Sequence, residues 1–229
     1  MTKTAAKTDP QDGTPGSKMI AIKKANIKVL PLPIVGTSPY VQNRFSAKAM
    51  NQIIATQRAG SQSAKGKKRE PKDFDACYEG AKHVSTDGWL GIPAGAIRAA
   101  CVSACRIIGF KMTLAKLSIF VQADGFDKVD GTPLIKITKG EPTKSTMPAR
   151  NDNGSVDIRV RPMWAPGWEA TLRIEYDADV FSDEDVANLI ERVGRQVGIG
   201  EGRNDSRESC GLGWGAFTLK ALQAQKKVA

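Results

Sequence analysis

Residues 156–194 read VDIRVRPMWAPGWEATLRIEYDADVFSDEDVANLIERVG, and this stretch decides the fold class. Val156, Ile158 and Val160 alternate with Asp157, Arg159 and Arg161, while Leu172, Ile174 and Tyr176 alternate with Thr171, Arg173 and Glu175. A period of two puts alternate side chains on opposite faces of a strand, so each arm has one buried face and one polar, basic face. Pro166 and Gly167 lie between the arms, which predicts that Val156–Pro162 and Trp168–Tyr176 form a hairpin joined by the turn Trp164–Gly167. The period then changes. Val186, Leu189, Ile190 and Val193 recur at helical spacing behind Ser182 as cap, with Asp183, Glu184 and Asp185 in the first turn and Gly194 as terminator. A helix over 183–193 lying on the sheet is expected.

Further out, Ile27 and Val29 mark a first strand within residues 20–35, and Pro31 and Pro33 remove two backbone donors, which places its end at an edge or bulge. Gly36–Pro39 is a turn. Ser46 caps a helix over 47–58, with Ala47, Met50, Ile53 and Ile54 at helical spacing. Pro93 opens another, whose stripe is Ala96, Ile97, Ala100, Ala104, Cys105 and Ile108, with Gly109 as terminator. Short strands are expected over 117–123 and 133–138, a loop over 143–154 and a last strand over 213–219. Strand, helix, hairpin, helix, strand is an α+β order. It predicts a modified ferredoxin-like (RRM-like) sheet with helices on one face and a large insertion at about 60–150. One domain over 19–220 would then lie between a flexible basic leader, 1–18, and a basic tail, 221–229.

The chain has 229 residues, 41% hydrophobic and 25% charged, which excludes wholesale disorder. Its 34 Lys and Arg against 24 Asp and Glu give a net charge of +10, pointing to a polyanionic partner, most simply nucleic acid. Four cysteines show neither zinc-site spacing nor a disulfide framework, and Cys101 and Cys105 fit one buried helical face. The single histidine, His83, removes most histidine metal sites and is expected at the surface. No Ser-His-Asp, Cys-His or paired-carboxylate arrangement stands out, so no catalytic residue, metal or cofactor is expected. Without a run of ~20 apolar residues or a signal peptide, the expected location is the cytoplasm.

Residues 60–72, GSQSAKGKKREPK, carry Lys65, Lys67, Lys68, Arg69 and Lys72, each able to neutralise a phosphate. The glycine-rich stretches 198–203 and 211–215 flank Arg203 and Arg207; backbone donors and guanidinium forks there could hold phosphates, or the glycines simply make turns. The missing Gly-Lys-Ser/Thr ending argues against a nucleotide-triphosphate loop. Arg159, Arg161 and Arg173 fall on the polar strand faces. Trp214, like Trp89, Trp164 and Trp168, sits beside glycine or proline, where an indole either stacks on a base or anchors a loop.

The segment VGTSPYVQNRFSAKA, 35–49, and the ending GIGEGR (198–203) with GLGWGAF (211–217) resemble the opening and the carboxy-terminal glycine-rich loop of RAMP-type backbone subunits of CRISPR effector complexes. The whole chain also resembles phage-encoded proteins of this shape. The resemblance implies a ferredoxin-like palm with an insertion and protomers stacked head to tail along single-stranded nucleic acid. It assigns Arg44 and Lys48, with Arg203 and Arg207, to the backbone grip. The expected function is therefore non-catalytic, sequence-independent coating of single-stranded DNA or RNA as a homo-oligomer or filament, as in phage recombination or replication. Two alternatives stay open: a mimic that inhibits a CRISPR effector by protein contact, and an RNA-processing nuclease using His83.

Overall fold

A computed structural model of the chain describes residues 23–45, 51, 55, 72–150, 154, 156–205 and 211–220. In chain order the elements are β1 (Ile27–Gly36), β2 (Tyr40–Val41), α1 (Phe74–Gly80), β3 (Gly91–Pro93), α2 (Ala94–Ile107), α3 (Met112–Ser118) and β4 (Ile119–Gln122). There follow β5 (Gly125–Phe126), β6 (Pro133–Lys139), β7 (Pro142–Arg150), β8 (Val156–Trp164), β9 (Glu169–Asp177), α4 (Asp183–Arg192) and β10 (Phe217–Leu219). Among the described residues this is an α+β architecture of antiparallel sheets and four continuous α-helices. The helix expected over 47–58 lies outside the described residues except for Asn51 and Ala55, which are helical.

β9 is the axis of the main sheet, whose order is β10-β1-β9-β6-β3. Its alternation holds as read: Ala170, Leu172, Ile174 and Tyr176 are buried, and the residues between them are half-buried. β1 lies along one side of β9 from Ile27 to Val35. On its other side, β6 takes Glu169 and Ala170, and β4 takes Arg173–Tyr176. β10 pairs only with Ile34–Gly36, so Pro31 and Pro33 fall on an edge, where a missing donor leaves no ladder bond unmade. α2 and α4 cover one face. Ile97, Ala100, Cys101, Ala104 and Cys105 from α2 meet Val186, Leu189 and Ile190 from α4 in a single core. Each large aliphatic buried there stabilises the fold by roughly 1.5–3 kcal/mol. Burial pushes the Cys101 thiol up to about 12, as befits a packing residue.

α4 starts on a full capping box: Ser182 Oγ accepts from the Asp185 amide at 3.1 Å, and Asp185 accepts from the Ser182 amide at 3.0 Å. Gly194 does not end it. The helix runs on as a π turn over Val193–Val197, and Gly198 ends it at φ +74°. Gly194 has a different reason: a Cβ there would lie 2.1 Å from the Phe217 carbonyl, where β10 crosses the helix.

The expected hairpin does not form. β8 and β9 are strands, but β8 joins a second sheet of order β2-β8-β7. The corner between them is set by aromatics. Trp164 and Trp168 are both fully buried, with ring centroids 5.4 Å from Tyr40 on either side, and Trp168 stacks edgewise on Phe217. This cluster joins the two sheets, so the chain must leave one sheet and enter the other between the tryptophans. The partner of β8 is β7, in nine residue pairs, so residues 143–150 are strand and not loop. Both faces of β7 are largely polar, and no apolar alternation betrays it. Residues 117–118 belong to α3, leaving β4 only Ile119–Gln122. Ile108, expected on the buried stripe, is 48% exposed beyond the end of α2. The stretch 60–150, expected as one insertion, supplies α2 and β6 to the main layer.

The two buried indoles differ in one respect. Trp168 Nε1 donates to the Ser38 carbonyl at 3.1 Å, whereas Trp164 Nε1 has no hydrogen-bond partner among the described residues. Trp→Phe removes the same volume at both sites. Urea unfolding should therefore show Trp168→Phe to be about 1 kcal/mol more costly than Trp164→Phe, the net value of one hydrogen bond.

Candidate functional site

A groove of about 480 Å³ opens between α2, the β2 end and the loop that follows the π turn. Its walls are assembled from distant segments. Asn43 and His83 contribute from one side, Ala96, Ala99 and Ser103 from α2, Arg159 from β8, and residues 197–203 from the loop.

Glu201 pins this loop in place. Its amide donates to the Val41 carbonyl at 2.9 Å, and its carboxylate receives Arg161 Nε at 2.9 Å with Arg159 at 3.5 Å. Arg203 folds back on its own loop, donating to the carbonyls of Gly200 (2.9 Å) and Asp205 (3.0 Å). Trp214 lies over Gly202, whose added Cβ would come within 2.5 Å of the indole, and so clips the two glycine-rich stretches together. Arg106 of α2 reaches Asp205 at 2.8 Å. Asp205 is held below the usual carboxylate range by the Ser103 hydroxyl first and Arg106 second.

Behind the groove lies a buried charge cluster. Arg44, 7% exposed in its side chain, faces Asp127 at 3.5 Å and Asp130 at 3.3 Å. Asp127, 1% exposed, also lies 2.9 Å from His83 Nδ1 and accepts the Val129 amide at 2.8 Å. His83 is therefore not a surface residue. It lines the groove with a side chain 12% exposed. Its sequence context shows no motif, because Asp127 is 44 residues away and meets it only through an isolated bridge between Ser85 and Asp127.

Of the basic residues read from the sequence, the structure gathers Arg159, Arg161 and Arg203 around the groove and puts Arg44 beneath it. Lys72 lies on β8, bonded to Asp157 at 2.9 Å and to the Ile158 carbonyl. Arg173 is in the other sheet, joined to Asp124 and to the Ala123 carbonyl at 2.7 Å. The three strand arginines thus do not share one face, and each has an acidic partner supplied by a loop. Lys48, Lys65, Lys67, Lys68, Arg69 and Arg207 lie outside the described residues. Among the described residues no group of three or more His, Cys, Asp or Glu is placed to hold a metal ion, and no helix is long and apolar enough to cross a membrane. Compared with known proteins, the chain matches no family model and no curated sequence.

Proposed function

We propose that this chain binds single-stranded nucleic acid without reading its sequence and multimerises along the strand, in the cytoplasm. The observation that carries the proposal is where the excess charge lies. Residues 46–71 hold Lys48, Arg58, Lys65, Lys67, Lys68 and Arg69 against Glu70 alone. That segment begins just past Phe45, close in sequence to the groove-lining Asn43. It ends at Lys72, which is bonded to Asp157 and to the Ile158 carbonyl, next along β8 to the groove-lining Arg159. Arg161, Arg173 and Arg203 are each tied to a carboxylate or a carbonyl, whereas this segment carries six cations against one carboxylate in its sequence, which supports it as the place where a polyanion is met.

A ferredoxin-like palm is part of the proposal. Counting only β1, β6, β9 and β10, the sheet order is last, first, third, second, with α2 between the first two in sequence and α4 between the last two. Multimerisation finds support in α3, where Met112, Leu114 and Leu117 are exposed, Leu117 to 75%, as an apolar surface that a second copy would cover. An interface of this kind between unlike surfaces propagates into a filament.

The test is a mobility-shift assay on single-stranded and duplex oligonucleotides, alongside negative-stain micrographs. Single strands should bind at low salt and carry filaments. Changing Lys65, Lys67, Lys68 and Arg69 together to alanine should weaken binding to every sequence. It should also flatten the salt dependence by about 0.7 in log–log slope for each phosphate left unneutralised. An unchanged slope would place the binding surface elsewhere, and binding only to another protein would favour the mimic.

A further inference from the structure

His83 is held on three sides and free on the fourth. Its amide donates to Gln42 Oε1 at 3.0 Å, its carbonyl accepts from the Gly91 amide at 3.1 Å, and Nδ1 faces Asp127 at 2.9 Å. Asp127 also faces the Arg44 guanidinium through Oδ2 and accepts the Val129 amide through Oδ1, so both of its oxygens are turned to donors. With Asp127 accepting, Nδ1 is the donor of this contact, and in that tautomer Nε2 is the acceptor of the ring. Nε2 has no hydrogen-bond partner among the described residues, and the ring lines the groove.

The rest of the wall completes a pattern. Arg159 meets Glu201 only at 3.5 Å, while Arg161 makes the short bond, so the Arg159 guanidinium has N–H groups left for an anion. Ala96 and Ala99 supply a smooth apolar side. A lone-pair nitrogen, a cation and a small apolar wall are complementary to a sugar hydroxyl, a phosphate and a ribose ring.

Building on the strand-binding reading above, we propose that the groove seats one ribonucleotide unit, with His83 Nε2 accepting from the 2′-hydroxyl and Arg159 pairing with a phosphate, so that the chain prefers RNA to DNA. The 2′-hydroxyl is the donor that DNA lacks. The role assigned to this groove is binding, with no bond of the strand broken.

Fluorescence anisotropy on RNA and DNA oligonucleotides of one sequence tests this. The native chain should bind RNA about threefold to tenfold more tightly, the worth of one hydrogen bond. His83→Phe should bring that ratio to about one, and Arg159→Gln should weaken both strands alike and keep the ratio. Equal affinity of the native chain for the two strands, a ratio kept in His83→Phe, or RNA recovered cut would overturn the proposal while leaving strand binding in place. Failure to bind either strand would remove both. A second readout needs no variant: His83 is the chain's one histidine, so its imidazole NMR signals are unambiguous. They should shift with saturating RNA and not with DNA, and signals unmoved by RNA would overturn the assignment.

Discussion

Gly215→Val is expected to cost more than about 4 kcal/mol, in the range where a single substitution takes a large part of a domain's stability. Gly215 has φ +69°, a region that β-branched residues do not tolerate. Space is the larger obstacle. A Cβ there would lie 1.7 Å from the Ile199 carbonyl oxygen, which is backbone and has no rotamer by which to withdraw. Moving either segment breaks two further bonds, because the Gly215 amide donates to Pro39 at 2.7 Å and its carbonyl accepts from Ile199 at 3.1 Å. Three parts of the chain meet at this one residue: the β1–β2 turn, the loop after the π turn and the approach to β10. Gly213→Ala is the control. Its φ is +72°, but the nearest atom to an added Cβ is Asn204 Oδ1 at 3.9 Å, so only the conformational cost of about 1–2 kcal/mol remains. Thermal unfolding should separate the two, with Gly215→Val melting about 10 °C or more below the native chain. Equal losses would mean that the close approach to Ile199 is not what the glycine serves.

The contrast explains which parts of the molecule could be read from the sequence. Where one face of an element is apolar and the other polar, the pattern named it: β9 and α4 are present with the buried residues that their periods imply, and α2 with most of them, Ile108 lying exposed past its end. Pairing was harder, because periodicity describes an element and not its neighbour. The corner at Pro166 and Gly167 looks like a hairpin turn, yet the burial of Trp164 and Trp168 in one cluster sends the strands into different sheets. β7 escaped notice because its side chains are polar on both sides and its only reason to be a strand is β8. The site was legible in its charge and not in its geometry. Arg159, Arg161 and Arg203 do meet at the groove, but their carboxylate and carbonyl partners come from residues such as Glu201, 40 positions from Arg161. His83 was visible as the only histidine, and nothing within several residues of it announced the buried Asp127.

Arg44 carries the sharpest test of that difference, since the sequence reading expects it to grip the strand and the structure buries it. If Arg44 mainly holds the fold, Arg44→Gln should lower stability by about 3 kcal/mol or more, because it leaves Asp127 in the interior facing only His83 and one amide. The salt dependence of oligonucleotide binding, measured on the fraction that is folded, should stay as it is in the native chain, since every phosphate keeps its cation. The alanine changes in residues 65–69 should show the reverse, a flatter slope with stability within about 0.5 kcal/mol of native, if those side chains serve the strand and not the fold. Coupling gives the decisive measurement. Arg44→Met combined with Asp127→Asn removes both charges at once, so the pair should lose less than the sum of the two single changes, by an interaction energy of about 0.5–3 kcal/mol. Additive losses, or a flattened slope in Arg44→Gln with native stability, would instead put the Arg44 guanidinium on the nucleic acid.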